Sequence, residues 1–151
     1  MSGMQTAPYQ EFAREKLGFD FENIDLLVTA LTHRSYVNEH RKSVSEHNER
    51  LEFLGDAVLE LVVTDFLFNN YDEAEGILTS WRASLVRTES IGDAGQKLGY
   101  EPLVRMSRGE KQGGERARLQ ILANAFEAVI GAVYLERGYA DAEVVIKKYI
   151  T

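Results

Sequence analysis

Apolar residues recur through most of the chain at the three- and four-residue intervals of amphipathic helices, whereas strand-like alternation never extends beyond a few residues. The pattern therefore predicts an all-α protein. Glycine, proline and clusters of polar residues separate the apolar segments and divide the chain into six predicted helices. We place these helices at residues 8–17, 24–31, 48–68, 81–98, 115–137 and from 141 onward.

The helix predicted at residues 48–68 carries three acids along one side. Glu49, Glu52 and Asp56 have the i, i+3, i+7 spacing that places side chains on one stripe, beside an apolar face. Like charges at this spacing repel by roughly a few tenths of a kcal/mol per pair, and a divalent cation would reverse that cost. A solvated acidic face is the alternative interpretation. Gly55 lowers helix stability by roughly 1 kcal/mol against Ala, so we expect another backbone to pack closely against it.

The helix predicted at residues 115–137 is almost continuously apolar, with two polar interruptions. Asn124 and Glu127 lie one turn apart, as Glu52 and Asp56 do on the acidic helix. Polar groups inside an apolar run need partners. If the two helices pack antiparallel, four oxygen-bearing side chains meet and form a site suited to Mg²⁺.

Length and composition indicate one globular domain. The chain has 151 residues, of which 44% are hydrophobic and 27% charged. The lack of cysteine excludes disulfides and thiolate metal sites and agrees with a reducing compartment. No stretch approaches eighteen consecutive apolar residues and the start lacks a signal-peptide core, so we expect a cytoplasmic protein without a membrane segment. We expect residues 1–7 to be a disordered start or a cloning remnant, and residues 8–151 to form the domain.

The formal net charge of −7 is unusual for a nucleic-acid binder, because contacts with the RNA backbone require basic surface. The charge is unevenly distributed along the chain. Residues 78–118 contain eight Lys or Arg against five Asp or Glu, a net charge of +3, which leaves −10 for the remainder. This distribution fits an acidic metal pocket beside a mildly basic strip, although ordinary mixed surface charge gives a similar count.

Two segments without helical periodicity carry further polar side chains. Residues 32–47 contain all three histidines, but a spacing of seven through a loop has no fixed geometry and does not predict a histidine metal site. The chain also lacks the Glu-x-x-His pattern of di-iron helix bundles. Residues 102–114 combine three glycines with basic side chains, and without a flanking strand they do not predict a nucleotide-binding loop.

Several segments resemble, in order, the sequence blocks of the ribonuclease III endonuclease domain. The nine residues NERLEFLGD at 48–56 match the family signature, and a chance match of that length is very improbable. The resemblance covers most of the chain and implies the all-α fold of that domain in a symmetric homodimer. The other matching blocks are LTHRSY at 31–36, EG at 75–76, LTSWRASLV at 78–86, RGEKQGG at 108–114 and ILANAFEAVIGAVYLERGY at 121–139.

The resemblance implies a metal-dependent endoribonuclease. Such an enzyme hydrolyses double-stranded RNA to leave 5′-phosphate ends and short 3′ overhangs, as in the processing of rRNA and mRNA. Its cofactor would be Mg²⁺, with Mn²⁺ as a substitute, at one or two ions per site. No protein nucleophile is needed, because the ions activate water. The metal-binding and catalytic positions carried over from the family are Glu52, Asp56, Asn124 and Glu127.

The resemblance also assigns residues around this centre. Glu49 and Glu75 match acids that flank the scissile bond, Glu75 from the partner subunit; the alternatives are a solvated helix face and an ordinary acidic turn. Phe53 matches a residue that inserts into the neighbouring subunit, and core packing is its alternative. Recognition of double-stranded RNA should depend mostly on shape. The candidate RNA-binding residues, some of which equally fit exposed helix ends and loops, are His33, Arg34, Ser35, Asn48, Arg108 and Lys111.

Asn124 departs from the family pattern, which more often has Asp at this position. Its amide oxygen can ligate weakly or orient a water but carries no charge, so three carboxylates face the charge of two ions. We expect weaker binding of the second ion, with cleavage retained. The alternative is a catalytically impaired RNase-III-like dimer that binds double-stranded RNA without cutting it. Family members commonly carry a C-terminal double-stranded-RNA-binding domain. We expect the present nuclease domain to come from such a longer protein, and a short form of the family without the second domain is the alternative.

Overall fold

A computed structural model describes residues 3–151, and this part of the chain folds into nine α-helices without a β-sheet. The all-α prediction is confirmed for these residues. A π-helical turn, Ala13–Leu17, extends the first helix. The helices are α1 (Gly3–Phe12), α2 (Ile24–Ala30), α3 (Arg34–Glu39), α4 (Glu49–Asn70), α5 (Glu75–Leu85), α6 (Thr88–Leu98), α7 (Arg108–Lys111), α8 (Glu115–Arg137) and α9 (Tyr139–Tyr149).

Most helix ends lie within two residues of the predicted ends. Helix α8 has the predicted bounds, and Gly18 and Gly99 terminate their helices at φ of +89° and +86°, a left-handed backbone that glycine adopts without strain. Helix α1 begins at Gly3 instead of Pro8, inside the segment expected to be disordered; Met1 and Ser2 lie outside the described residues. The buried rings of Tyr9 and Phe12 anchor this helix and offset the hydrogen bond that Pro8 removes.

The prediction of one long helix at residues 81–98 is wrong. The structure has two helices, α5 and α6, separated at residues 86 and 87. Arg82 ties α5 to α4 through Thr64 Oγ1 at 2.9 Å, whereas α6 buries Ile91 and Leu98 against α8. One straight helix cannot pack on both neighbours, and the break lets each half turn its apolar side to a different one.

The core is built around α8. Its residues from Ile121 to Val133 are buried except at Asn124 and Glu127, and α2, α4, α6 and α9 pack around it. Helix α8 is long and apolar enough to cross a membrane by length and composition alone. Because most of it is buried inside the protein, its apolar character is that of the central helix of a packed domain.

Helices α4 and α8 pack antiparallel and approach most closely at two glycines. A Cβ atom on Gly55 would overlap the carbonyl oxygen of Glu127, and one on Gly131 would overlap the carbonyl oxygen of Leu51. The expectation that another backbone packs against Gly55 is confirmed. Because the two helices touch backbone to backbone, polar side chains beside the crossing are brought within reach of one another.

This contact predicts that Gly55→Ala lowers the free energy of unfolding by about 2–3 kcal/mol, because the helices must separate to admit a methyl group. Urea unfolding followed by circular dichroism measures the change. Gly76→Ala is the matched control: Gly76 is also helical but has no atom within 4 Å of an added Cβ, so this change should be neutral or stabilise by up to about 1 kcal/mol. Equal effects of the two substitutions would contradict the tight crossing.

Candidate active site

Side chains of α4 and α8 line a cavity of about 570 Å³ beside the helix crossing. The four predicted metal-binding residues all lie on its wall, two from each helix, and the antiparallel packing is what brings them together. Glu49, predicted to flank the scissile bond, lies there as well. The complete lining is Glu49, Glu52, Phe53, Asp56, Asn124 and Glu127.

The carboxyl groups in this cavity are electrostatically strained. Burial, and to a lesser extent hydrogen bonding with Asp56 and the negative charges of Asp56 and Glu52, together raise the pKa of Glu127 to about 9. The pKa of Glu52 is raised by burial first and then by the charges of Glu49 and Asp56. At neutral pH Glu127 therefore retains a proton that an exposed glutamate would have lost.

A buried tyrosine outside the cavity lining supports α8. The hydroxyl of Tyr100 donates to the carbonyl oxygen of Leu122 on α8, five residues before Glu127. Burial raises the pKa of Tyr100 well above its usual value, and the charge of Glu127 raises it further. Tyr100 is thus a neutral hydrogen-bond donor that supports the segment of α8 from which the site residues project.

The oxygen ligands on the cavity wall have the chemistry that a hard divalent cation requires, but their present positions do not surround an ion. Three carboxylates and one amide oxygen are the ligands that Mg²⁺ prefers. Burial and then the neighbouring acids raise the pKa values of Glu52 and Glu127, and a cation in the cavity would lower both by favouring the charged carboxylates. Across residues 3–151, however, no three His, Cys, Asp or Glu side chains stand close enough together to hold an ion as they are. Binding of an ion by these residues would therefore require their side chains to rotate inward.

Comparison with known proteins agrees with the sequence motifs. The family model described as Ribonuclease-III-like matches residues 23–151. The chain belongs to the ribonuclease III family. Ribonuclease 3 of Listeria innocua is 50% identical over 129 residues, which are 85% of this chain and 56% of that protein. Ribonuclease 3 of Bacillus velezensis is 46% identical over 143 residues, which are 94% and 57% of the two chains. The chain thus spans little more than half the length of these ribonuclease III relatives.

Solved structures agree with this family assignment. The nuclease domain of ribonuclease III from Campylobacter jejuni matches with a TM-score of 0.82 and 39% identity, covering 93% of this chain and 94% of that one. A second structure of the same domain gives a TM-score of 0.81, also at 39% identity, covering 93% of this chain and 92% of that one. The first is described as concerning a region involved in dimer formation. The fold of the present chain is therefore that of a ribonuclease III nuclease domain.

Two polar contacts at the cavity were not predicted from the ribonuclease III signature. Gln120 Nε2 donates to Asn124 Oδ1 at 2.9 Å, and the i, i+4 spacing of the two amides is a signal that the sequence already contained. Arg34 Nη2 forms an ion pair with Glu49 Oε1. No sequence pattern indicates this second contact, because the two residues are fifteen positions apart on different helices.

Three of the residues predicted to contact RNA form internal hydrogen bonds. Asn48 is 2% exposed, and its side-chain amide donates a hydrogen bond to the carbonyl oxygen of Ala30. It therefore anchors the start of α4, and its burial does not support the predicted contact with RNA. His33 Nδ1 accepts from the backbone N–H of Ser35, and Ser35 Oγ accepts from that of Ser107 at 2.9 Å. Burial lowers the pKa of His33, which keeps its ring neutral. The bond between Ser35 and Ser107 joins the start of α3 to the loop before α7.

The remaining predicted residues are exposed. Arg108 and Lys111 project from α7, and Glu75 begins α5, where it lines a different cavity from the one between α4 and α8. Within one chain, therefore, Glu75 is not part of the acidic cavity. Phe53 is 82% exposed, which excludes the alternative that it packs in the core of its own chain.

The raised pKa of Glu127 predicts how stability varies with pH without divalent metal. Its pKa is about 9 in the folded chain against about 4.5 when unfolded, so the folded state binds the extra proton between these values and stability falls as pH rises through them. Glu127→Gln keeps a neutral hydrogen-bonding group, and at pH 7 in EDTA it should stabilise by about 1–3 kcal/mol, or several degrees in Tm. The gain should vanish near pH 4.

Thermal unfolding across pH 4–9 measures this difference. Glu11→Gln removes the same charge from an exposed position on α1, outside the cavity, and should leave the pH profile of the wild type unchanged. A Glu127→Gln profile that runs parallel to the wild-type profile would contradict the raised pKa.

Proposed function

We propose that this domain is a divalent-metal-dependent endoribonuclease that hydrolyses double-stranded RNA. The observation that carries the proposal is the shared cavity of Glu52, Asp56, Asn124 and Glu127, in a chain of the ribonuclease III family. The products would have 5′-phosphate ends and short 3′ overhangs, and the substrates would be structured rRNA and mRNA precursors in the cytoplasm.

The cofactor would be Mg²⁺, or Mn²⁺ in its place, held by these four residues at one or two ions per site. When bound, it supplies an activated water and positive charge at the phosphoryl oxygens. Glu127 must release its proton to become a ligand, and a cation beside it would favour that release by offsetting the charges of Asp56 and Glu52. Asn124 contributes an oxygen without charge, and the hydrogen bond from Gln120 holds that oxygen in place.

A second copy of the chain would complete the enzyme. Phe53, Leu61 and Phe68 lie on one side of α4 and are 82%, 56% and 74% exposed. Ile77 and Trp81 on the neighbouring α5 are exposed as well. A continuous apolar stripe of this kind is typical of a surface that is covered in an oligomer, and its position on the signature helix favours a symmetric homodimer.

The dimer would also explain the position of Glu75. A cavity of about 500 Å³ between α4 and α5 has Leu67, Phe68 and Leu78 in its wall together with Glu75. Phe53 borders the acidic cavity of its own chain. Insertion of Phe53 into this α4–α5 cavity of the second copy would therefore bring the Glu75 of that copy to the edge of the acidic site. Each symmetric half would then contribute one acid to the other.

RNA contacts would come from basic residues around the acidic cavity. Arg108 and Lys111 are exposed on α7, and Arg34 lies at the edge of the cavity itself. Arginine and lysine neutralise backbone phosphates, whereas the acidic cavity would repel RNA without a cation. Binding by this domain should accordingly weaken steeply with salt and depend on the metal.

Cleavage of an end-labelled RNA duplex tests the proposed activity. With Mn²⁺ the wild-type domain should cut both strands, and Asp56→Asn should lower the rate by about 100-fold or more, because a charged ligand is lost. Asn124→Asp should lower the Mg²⁺ concentration needed for half-maximal rate several-fold, since it adds a fourth charge. Binding without cleavage in both the wild type and Asn124→Asp would instead support the silent RNA-binding dimer.

The proposed dimer predicts that Phe53→Ala yields monomers at micromolar concentration, because the most exposed apolar side chain of the stripe is removed. Native mass spectrometry and sedimentation measure the assembly. Val144→Ala is the control: Val144 is 63% exposed on α9, outside the stripe, and its loss should leave the dimer intact. A dimer that survives Phe53→Ala with unchanged affinity would rule out insertion of this ring.

A further inference from the structure

One acid of the cavity differs from the others in its partner. Glu49 forms an ion pair with the guanidinium of Arg34. Among the ion pairs within residues 3–151, none includes Glu52, Asp56 or Glu127. The Glu49 side chain is 44% exposed and lies on the cavity wall. Its charge is thus the one that the protein itself neutralises.

Arg34 is presented from a firmly anchored backbone. It is the first residue of α3, and the residues on either side of it are both fixed to the loop before α7. The backbone N–H of His33 donates to the carbonyl oxygen of Arg105 at 2.8 Å, and Ser35 Oγ accepts from the N–H of Ser107. An arginine held at its base in this way restrains its partner better than one on a mobile loop, because no further backbone entropy is lost when the pair forms.

The pair determines what Glu49 can do in the cavity. Glu49 and Glu52 lie on one turn of α4, so a free Glu49 carboxylate would be close enough to join a cation held by its neighbours. With Arg34 bound, Glu49 contributes almost no net charge and one of its oxygens is already engaged. The charge available to a cation then comes from the other three acids.

We propose that Arg34 is a positioning residue that holds Glu49 at the rim of the cavity and keeps it out of the inner ligand set, and so limits how tightly the site binds a divalent ion. The inference rests on the proposed metal-dependent function of the same cavity. The sequence predicted Arg34 as an RNA contact, and this proposal gives it a second role, which is to position an acidic side chain of the protein. Too many carboxylates around an ion would hold it strongly and neutralise the positive charge that the RNA phosphate needs.

Titration with Mn²⁺ alone, without RNA, tests the proposal by calorimetry. Arg34→Gln should tighten binding by roughly 5- to 10-fold, the scale of one further carboxylate beside a divalent ion at a partly exposed site. In a Glu49→Gln background the same substitution should tighten binding by about twofold or less, because only the remote charge is removed. Arg34→Lys keeps a cation for Glu49 and should stay close to wild type.

Arg50→Gln is the matched control for charge alone. Arg50 is exposed on the first turn of α4 but lines a separate cavity with Asn23 and Asp25, so its loss removes one positive charge without releasing Glu49. It should tighten binding by about twofold or less. All these side chains are exposed, and thermal unfolding in EDTA verifies that each variant is folded.

The outcomes separate the inference from the function on which it rests. A wild-type domain that binds no Mn²⁺ would overturn both. If the wild type binds Mn²⁺ and Arg34→Gln changes the affinity by the same factor with and without Glu49, or by no more than Arg50→Gln does, the positioning role is wrong while the metal site stands.

Discussion

The close crossing of α4 and α8 is the contact on which the rest of the structure depends. Two glycines, Gly55 and Gly131, remove the side chains that would keep the helix backbones apart, and each lies against a carbonyl oxygen of the other helix. Glycine inside a helix is unfavourable by roughly 1 kcal/mol against Ala, so this geometry is retained at the expense of local helix stability. The close approach lets the acids of α4 and the side chains of Asn124 and Glu127 on α8 open into the same cavity.

That proximity places carboxyl groups where burial and their neighbours disfavour the charged form. Glu127 retains a proton at neutral pH because burial and the neighbouring acids disfavour its charged form. The protein offsets part of the excess charge itself, through the pair of Arg34 and Glu49 at the rim. In the proposed metal enzyme, cation binding would be coupled to a rearrangement of these side chains. Such a rearrangement would make a metal site of a shared cavity that has no preformed ligand cluster in residues 3–151.

Three sides of helix α4 face three different environments. One side, with Leu59, Val62 and Val63, is fully buried against α8 and α9; a second carries the acids; a third exposes Phe53 and Phe68. An ordinary surface helix has one apolar and one polar side. The third side therefore indicates an additional partner, and the second copy that would cover it also offers a place for Glu75. In the proposed enzyme, catalysis and assembly would thus be linked through α4.

The longer helices α2, α4, α8 and α9, the signature motif and the family followed from the sequence by itself, because apolar periodicity and a run of nine specific residues are local properties. The short helices α3 and α7 did not, because they lie in polar segments without that periodicity. The close packing at Gly55 was also predictable, since an interior glycine in a strong helix needs a reason. Three features could not be predicted from the sequence, because each depends on which surface a distant segment presents. They are the break between α5 and α6, the burial of Asn48 and the pairing of Arg34 with Glu49. Sequence determined which side chains could do chemistry, and the antiparallel contact of two helices decided which of them meet, because side chains 68 or more positions apart, such as Glu52 and Asn124, approach only through tertiary packing.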